Sequence, residues 1–175
     1  MADLALDDPY RNEFCCAVVV SGKFLRRDPE GAAKVTRALI RGAKWVHENK
    51  MAAARLAVEK KYLTATPELN AQAIRNLKYV PSVSKCRRDI DHVVQEMKKA
   101  GFLKPSTDPE ELARQAWADL PGVTDEWIEG LKVEKVAGGG TPPPLSPAAF
   151  AAMFGPNGSV FRLQSCCDAG SACSP

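Results

Sequence analysis

The sequence has no long apolar run and little excess charge of either sign. No stretch approaches the roughly 20 apolar residues that span a bilayer. The opening MADLALDDPYRNEF contains neither the basic nor the apolar region of a secretory signal. The net charge is +3, and Lys and Arg mostly alternate with acids, as in VEKKY and QEMKKAG. We therefore expect a chain that neither spans a membrane nor binds nucleic acid.

Motifs of known catalytic chemistry are absent as well. There is no Gly-rich loop opening a helix, no Ser-His-Asp signature and no pair of catalytic carboxylates. The glycine run at residues 138–140 is followed by prolines instead of a helix. His47 and His92 lie in predicted helices without a Cys or His four residues later, so we expect surface or half-buried positions. We predict that the protein is not an enzyme.

Helix-start signals, by contrast, recur along the chain. Asp28, Thr66 and Asp108 each precede a Pro and a Glu, which places Pro at the first helical position and an acid on the positive end of the helix dipole. The predicted helical segments are RDPEGAAKVTRALIRGAKWVHEN, MAAARLAVEKKYL, TPELNAQAIRNLKYV up to Pro81, SKCRRDIDHVVQEMKKAGFL with Gly101 as a left-handed cap, DPEELARQAW and TDEWIEGLK.

Two of these segments predict a buried stripe at helical spacing. In the first, the expected buried residues are Ala32, Val35, Leu39, Ala43 and Val46. In the fourth, they are Ile90, Val93, Val94 and Met97.

One stretch favours a strand. Residues 14–20 are apolar and β-branched, and they end at Ser21 and Gly22. Because they do not alternate with polar residues, we expect a strand buried on both faces, although no convincing partner strand lies nearby. The predicted fold class is mainly α with one or two short strands. Residues 1–136 would form the domain, and residues 137–175, which begin with AGGGTPPPLSP, a Gly/Pro-rich linker and a Cys-containing tail.

The six cysteines provide the candidate sites. Cys15 and Cys16 open the predicted strand, where successive side chains point to opposite faces, so the two cannot easily share one metal. A disulfide between them would be strained. Two interpretations stay open: two small buried apolar residues, or one thiol that faces a ligand beside Glu13 and Phe14.

Cys86 lies at the predicted start of a helix. The helix N-terminus and the basic neighbours Lys85, Arg87 and Arg88 would lower the pKa of its thiol. Cys86 is therefore a candidate reactive thiol, or a disulfide partner of Cys15 or Cys16. The alternative is a first-turn cysteine that faces the core.

The tail carries three cysteines within eight residues, Cys166, Cys167 and Cys173. Thiolates select soft metals, so a soft metal ion such as Cu(I), Zn(II) or a trivalent metalloid is the one cofactor considered. The spacing is not that of a CxxC pair and no His lies nearby, so a tail without a site is the alternative. A small helical thiol protein that binds such an ion is accordingly the alternative function.

Several stretches in a specific order carry a resemblance to a known family. They are DPYRNEFCCAVVVSGKFLRRDPEGAAKVTRALIRGAKWVHEN, AARLAVEKKYL, LKYVPSVSKCRRDI and MKKAGFLKPSTDPEELARQAWADLPGVTDEW. From about residue 8 to residue 140, the chain resembles the C-terminal half of solute-binding proteins of ABC importers, in the sulfonate/nitrate/taurine and thiamine-precursor-like group.

The resemblance implies a fragment of an α/β two-lobed, periplasmic-binding-protein-like (type II) fold. Such a protein binds a small solute between its lobes and delivers it to an ABC permease in the membrane. Residues 14–20 would return towards the first lobe, so Glu13, Phe14 and Cys15 or Cys16 would line the ligand cleft.

The resemblance also implies export to the periplasm, and a cytoplasmic location is the alternative because no export signal is visible. Whole family members are much longer. We therefore expect a truncated member that lacks an N-terminal lobe, or a homo-oligomer that completes its core by self-association.

Overall fold

The computed structural model describes residues 5–8, 10–14 and 16–149. Within these residues a short 3₁₀ turn, Tyr10–Asn12, is followed by helices only. The helices are α1 (Gly22–Arg27), α2 (Pro29–Glu48), α3 (Lys50–Glu59), α4 (Pro67–Ala73), α5 (Val83–Lys99), α6 (Pro109–Ala116) and α7 (Asp125–Gly130). The mainly α part of the predicted fold class is thus confirmed. None of the described helices is long and apolar enough to cross a membrane.

The predicted strand at residues 14–20 is wrong. The described part of this segment forms no ladder, and the side chain of Val19 is 90% exposed instead of buried. A strand needs a partner to satisfy its backbone groups, and the described residues contain no other strand. The apolar run instead leads into α1, an unpredicted helix whose N-cap, Ser21, accepts a hydrogen bond from the Phe24 amide at 3.2 Å.

The predicted helix starts are confirmed. Asp28 Oδ1 accepts from the Gly31 amide at 2.8 Å, and Thr66 Oγ1 accepts from the Leu69 amide at 3.3 Å. Asp108 Oδ1 accepts from the amides at 110 and 111, which begins α6. The predicted left-handed cap after α5 is also present, since Gly101 has φ 78°.

The third predicted helix is shorter than expected, because α4 ends at Ala73 instead of reaching Pro81. The ammonium of Lys50, which is buried, donates to the carbonyls of Arg75 at 2.5 Å and Leu77 at 2.8 Å. Burial lowers the pKa of Lys50, and the neighbouring charge of Arg75 lowers it further. A buried ammonium needs such acceptors, so these carbonyls bond to Lys50 instead of continuing the helix.

The buried stripe of α2 is rotated from the predicted one. Its buried residues are Ala32, Ala33, Thr36 and Ile40. Val35 and Leu39, which were predicted to be buried, are 50% and 54% exposed. Two long-range hydrogen bonds fix the rotation of α2 about its axis. Arg37 donates to the Pro121 carbonyl at 2.5 Å, and Lys44 donates to the Ile128 carbonyl at 2.7 Å. The predicted stripe of α5 is likewise only partly buried: Val94 is buried, but Val93 and Met97 are exposed.

A small apolar cluster joins α2 to the C-terminal helices. It contains Ile40, Ile128 and Leu131, with Val83, Val123 and Trp127 packed against it. Asp125 at the start of α7 also accepts from the first amides of α5, those of Val83 at 2.6 Å and Ser84 at 3.0 Å. One acid therefore fixes the relative position of two helix N-termini.

Residues 134–142 form a segment without helix that packs across the start of α3. Asn49 is fully buried; its amide donates to the Glu134 carbonyl at 2.8 Å, and its Oδ1 accepts from the Val136 amide at 2.7 Å. The Gly139 carbonyl accepts from the first amides of α3, which have no side-chain cap. The chain divides into two compact units between Pro142 and Pro143, so this segment belongs to the first unit.

Candidate functional site

The structure brings two of the four predicted ligand-binding residues to one face of α5. The Lys85 ammonium lies 4.6 Å from the centre of the Phe14 ring, and His92 Nε2 lies 3.4 Å from a carboxylate oxygen of Glu13. Lys85 also donates to the carbonyl of Asn12. Lys85, Asp89 and His92 share one helix face, because Asp89 follows Lys85 by four residues and His92 follows it by seven.

The charges on this face are partly neutralised. The Lys85 ammonium lies 3.3 Å from Asp89 Oδ2, and Arg88 lies 3.3 Å from the other oxygen. Burial alone would raise the pKa of Asp89, but the hydrogen bonds and charges of Lys85 and Arg88 outweigh burial and hold this pKa below its ordinary value. Asp89 is thus a carboxylate that holds the Lys85 ammonium against the Phe14 ring. The contact between Glu13 and His92 is an ion pair only when His92 is protonated.

Cys86 is a half-buried free thiol next to this cluster. Burial raises its pKa and the charge of Asp89 raises it further, against a smaller opposing effect of Lys85. The prediction that basic neighbours lower the pKa of the Cys86 thiol overall is therefore wrong. Arg88 is engaged by Asp89, and the Arg87 guanidinium lies over the Trp117 ring, 5.9 Å from its centre.

A thiol with a raised pKa is a poor nucleophile at neutral pH, which favours the alternative interpretation of Cys86 as a structural cysteine. Because Cys86 is a free thiol, the disulfide considered with Cys16 is not formed in this structure. The disulfide considered with Cys15 involves a residue outside the described ones.

The other cysteine predictions divide between described and undescribed parts of the chain. Cys16 is exposed, so it is not the small buried residue of a strand. Cys15 and the three tail cysteines, Cys166, Cys167 and Cys173, lie outside the described residues. In the part that the structure describes, no three His, Cys, Asp or Glu side chains form a group that could hold a metal ion. The soft-metal site therefore stays a prediction.

The two histidines are where the sequence suggested. His47 is half-buried on α2, and its Nδ1 accepts a hydrogen bond from the Tyr79 amide at 3.3 Å. His92 is exposed on α5 and contacts Glu13. Both have partners that explain their place without a metal.

Two open grooves were not foreseen from the sequence. One lies between α5 and α6, where Trp117 and Arg87 form one side and Ala113 part of the lining. The other, about 390 Å³ in volume, lies between α2 and residues 132–134, with Trp45 and Arg41 in its wall. An aromatic residue beside a cation was the only available signal in both cases, and such pairs are too common to identify a groove.

No family model, curated protein or solved structure matches this chain.

Proposed function

We propose that this chain is the C-terminal portion of a solute-binding protein of an ABC importer. It would work with an N-terminal α/β lobe, bind a small solute between the two lobes and deliver it to a permease in the membrane. The type II fold, the periplasmic location and the role in binding instead of catalysis are parts of the same proposal.

The observation that carries this proposal is the segment at residues 16–20. Its valines have a strong preference for strands, yet Val18 and Val19 are exposed and no partner strand exists among the described residues. An apolar, β-branched segment in this state is expected to pair with the edge of a sheet supplied by another polypeptide or another part of the protein.

The contacts of Glu13 and Phe14 support the same proposal. They attach the residues just before this segment to α5 through His92 and Lys85. A segment that is attached at its start and carries the exposed valines Val18 and Val19 is suited to cross between two lobes. Glu13, Phe14, Cys15 and Cys16 would then lie at the mouth of the cleft, and closure of the lobes would depend on ligand binding.

Co-expression with the lobe tests the proposal. The genomic sequence upstream of Met1 is read for an α/β lobe, in frame or as a neighbouring gene, and the two pieces are produced together. We expect the amides of residues 16–20 to become protected from hydrogen exchange, and a panel of sulfonates, nitrate and thiamine precursors to contain a compound that raises the melting temperature.

Matched variants make the test specific. Val19→Lys should abolish the new protection because it places a charge in the paired segment. Tyr62→Lys changes another strongly exposed hydrophobic residue, 80% exposed against 90% for Val19, and should leave the protection intact. The absence of any companion lobe, or unchanged exchange at residues 16–20 in its presence, would contradict the proposal.

A further inference from the structure

The solvent side of α2 carries an apolar row beside a row of cations. We call it the α2 outer face and define it by its six exposed residues, Lys34, Val35, Ala38, Leu39, Arg41 and Gly42. Val35 and Leu39 are one helical turn apart and about half exposed. At 100° per residue, Lys34 and Arg41 lie together along the opposite edge of the same face.

The cations of this face do not stabilise the fold. Within the described residues, the side chains of Lys34 and Arg41 have no hydrogen bond or ion pair, although their backbone groups belong to α2. Arg37 and Lys44, on the other side of the same helix, are both tied into the structure: Arg37 bonds to Glu30 and the Pro121 carbonyl, and Lys44 to the Ile128 carbonyl. The helix thus separates its structural cations from a pair that is available to a partner.

The groove beside α2 continues this face. Arg41 borders it, Trp45 forms part of its wall, and residues 132–134 close the far side with Lys132 and Glu134. Lys132 has no ion pair among the described residues, and Glu134 is the one acid in the lining. A tryptophan between cations has the amphipathic character of residues at a lipid–water interface.

The charge of the whole region favours an anionic partner. Residues 21–61 contain eleven Lys and Arg against four Asp and Glu, a net charge of +7, although the chain as a whole carries only +3. The small net charge of the whole chain conceals this concentration of positive charge in residues 21–61. This concentration produces an attraction for anionic surfaces on the helices α1, α2 and α3.

We propose that the α2 outer face binds the surface of an anionic lipid bilayer. Lys34, Arg41 and Lys132 would contact lipid phosphates, while Val35 and Leu39 enter the boundary between headgroups and acyl chains. This inference is independent of the proposed transport function, because it uses neither the segment at residues 16–20 nor a second lobe.

Other occupants fit less well. A nucleic acid backbone gains nothing from two exposed aliphatic side chains. A second copy packed antiparallel about Ala38 would place Lys34 beside Arg41 across the interface, where like charges repel. A bilayer accommodates both the aliphatic and the cationic half of the face.

Co-sedimentation with vesicles tests the proposal. The chain is mixed at low salt with vesicles of phosphatidylcholine alone and with vesicles that also contain phosphatidylserine. We expect partition onto the anionic vesicles only, and release as the salt concentration is raised. Each Lys or Arg at such a surface changes the partition constant roughly fivefold, so Lys34→Gln with Arg41→Gln should lower it roughly 25-fold.

A matched double variant separates this face from general charge. Lys78→Gln with Lys104→Gln removes the same charge at two exposed positions on other segments, and it should have a much smaller effect. Val35→Ser with Leu39→Ser should weaken binding without changing its salt dependence. All these positions are exposed, and circular dichroism verifies that the variants keep their helix content.

Four results would overturn the proposal. They are no partition onto anionic vesicles at low salt, an equal loss in the Lys78 and Lys104 variant, equally tight binding to double-stranded DNA, and a concentration-dependent dimer that Val35→Ser with Leu39→Ser abolishes.

Discussion

Two segments outside the α-helices contact the helical domain in very different ways. Residues 12–14 are attached to α5 by a contact between a carboxylate and an imidazole, by a cation–π contact and by one backbone carbonyl, all near the solvent. Residues 134–142 are attached by hydrogen bonds to a fully buried amide and to the first amides of α3. Exposed charged contacts contribute little to stability, whereas buried polar groups are costly to leave unpaired. We therefore expect the second segment to be integral to the fold and the first to open locally.

The largest expected effect is at Asn49. Asn49→Ala removes a fully buried side chain that bonds to the carbonyls of Trp45 and Glu134 and to the Val136 amide, and it leaves these part-buried groups without that partner. We expect a loss of about 3 kcal/mol in the free energy of unfolding, measured by urea denaturation. Asn12→Ala, in the other segment, should change it by less than about 0.5 kcal/mol. Similar losses in the two variants would remove the distinction between the segments.

Two neighbouring glycines sharpen the comparison within residues 134–142. A Cβ atom at Gly139 would lie 2.9 Å from the Val136 carbonyl oxygen and 3.0 Å from the Ala52 Cβ. Because backbone cannot move aside cheaply, Gly139→Ala should cost about 2 kcal/mol by the same measurement.

Gly140 is the matched control for this change, since a Cβ there meets nothing within 4 Å. Gly140→Ala should be neutral or stabilise by about 0.5 kcal/mol through the unfolded state. Equal effects at positions 139 and 140 would show that the segment does not pack tightly on α3.

Asp125 tests whether the helix that receives the N-terminal segment is itself held firmly. Hydrogen bonds from Ser84 and Val83 hold the pKa of Asp125 below its ordinary value, against the opposing effect of burial. Asp125→Asn should cost about 1 kcal/mol at pH 7.

The pH dependence of this difference has a definite sign. A carboxyl whose pKa is lowered in the folded state stabilises the fold above its unfolded-state pKa of about 3.9, and the contribution disappears as pH falls through the lower folded value. The wild type and Asp125→Asn should therefore converge in acid. Glu129→Gln, at an exposed position on α7, is the control and should change the free energy of unfolding at pH 7 by less than about 0.5 kcal/mol.

Local signals in the sequence predicted the helix starts well, because a cap depends on residues three positions apart. Asp28, Thr66 and Asp108 all begin helices as expected. Long-range polar contacts escaped prediction. Nothing near Arg37 or Lys44 in the sequence reveals that their partners lie 84 residues away, yet these contacts turn Val35 and Leu39 towards solvent.

The candidate site shows the same limit. The sequence identified Glu13 and Phe14 as candidates, but it did not identify their partners on α5. These partners depend on how the N-terminal segment folds back onto that helix. The pKa of Cys86 was misjudged because the directions of Arg87 and Arg88 cannot be read from adjacency. The strand was predicted from β propensity alone, and propensity cannot supply a partner.

The smallest expected effect concerns the contact between Phe14 and Lys85. A double-mutant cycle with Phe14→Leu and Lys85→Gln should give a coupling energy of about 0.5 kcal/mol, the range for an exposed cation–π pair. Hydrogen exchange is the more direct measurement: each variant should speed exchange at residues 12–14 and leave that at residues 134–142 unchanged. A coupling energy above about 2 kcal/mol, or slower exchange at 12–14 than at 134–142, would mean that the N-terminal segment is the more firmly held of the two. The contrast between charged surface contacts and buried backbone contacts would then fail for this protein.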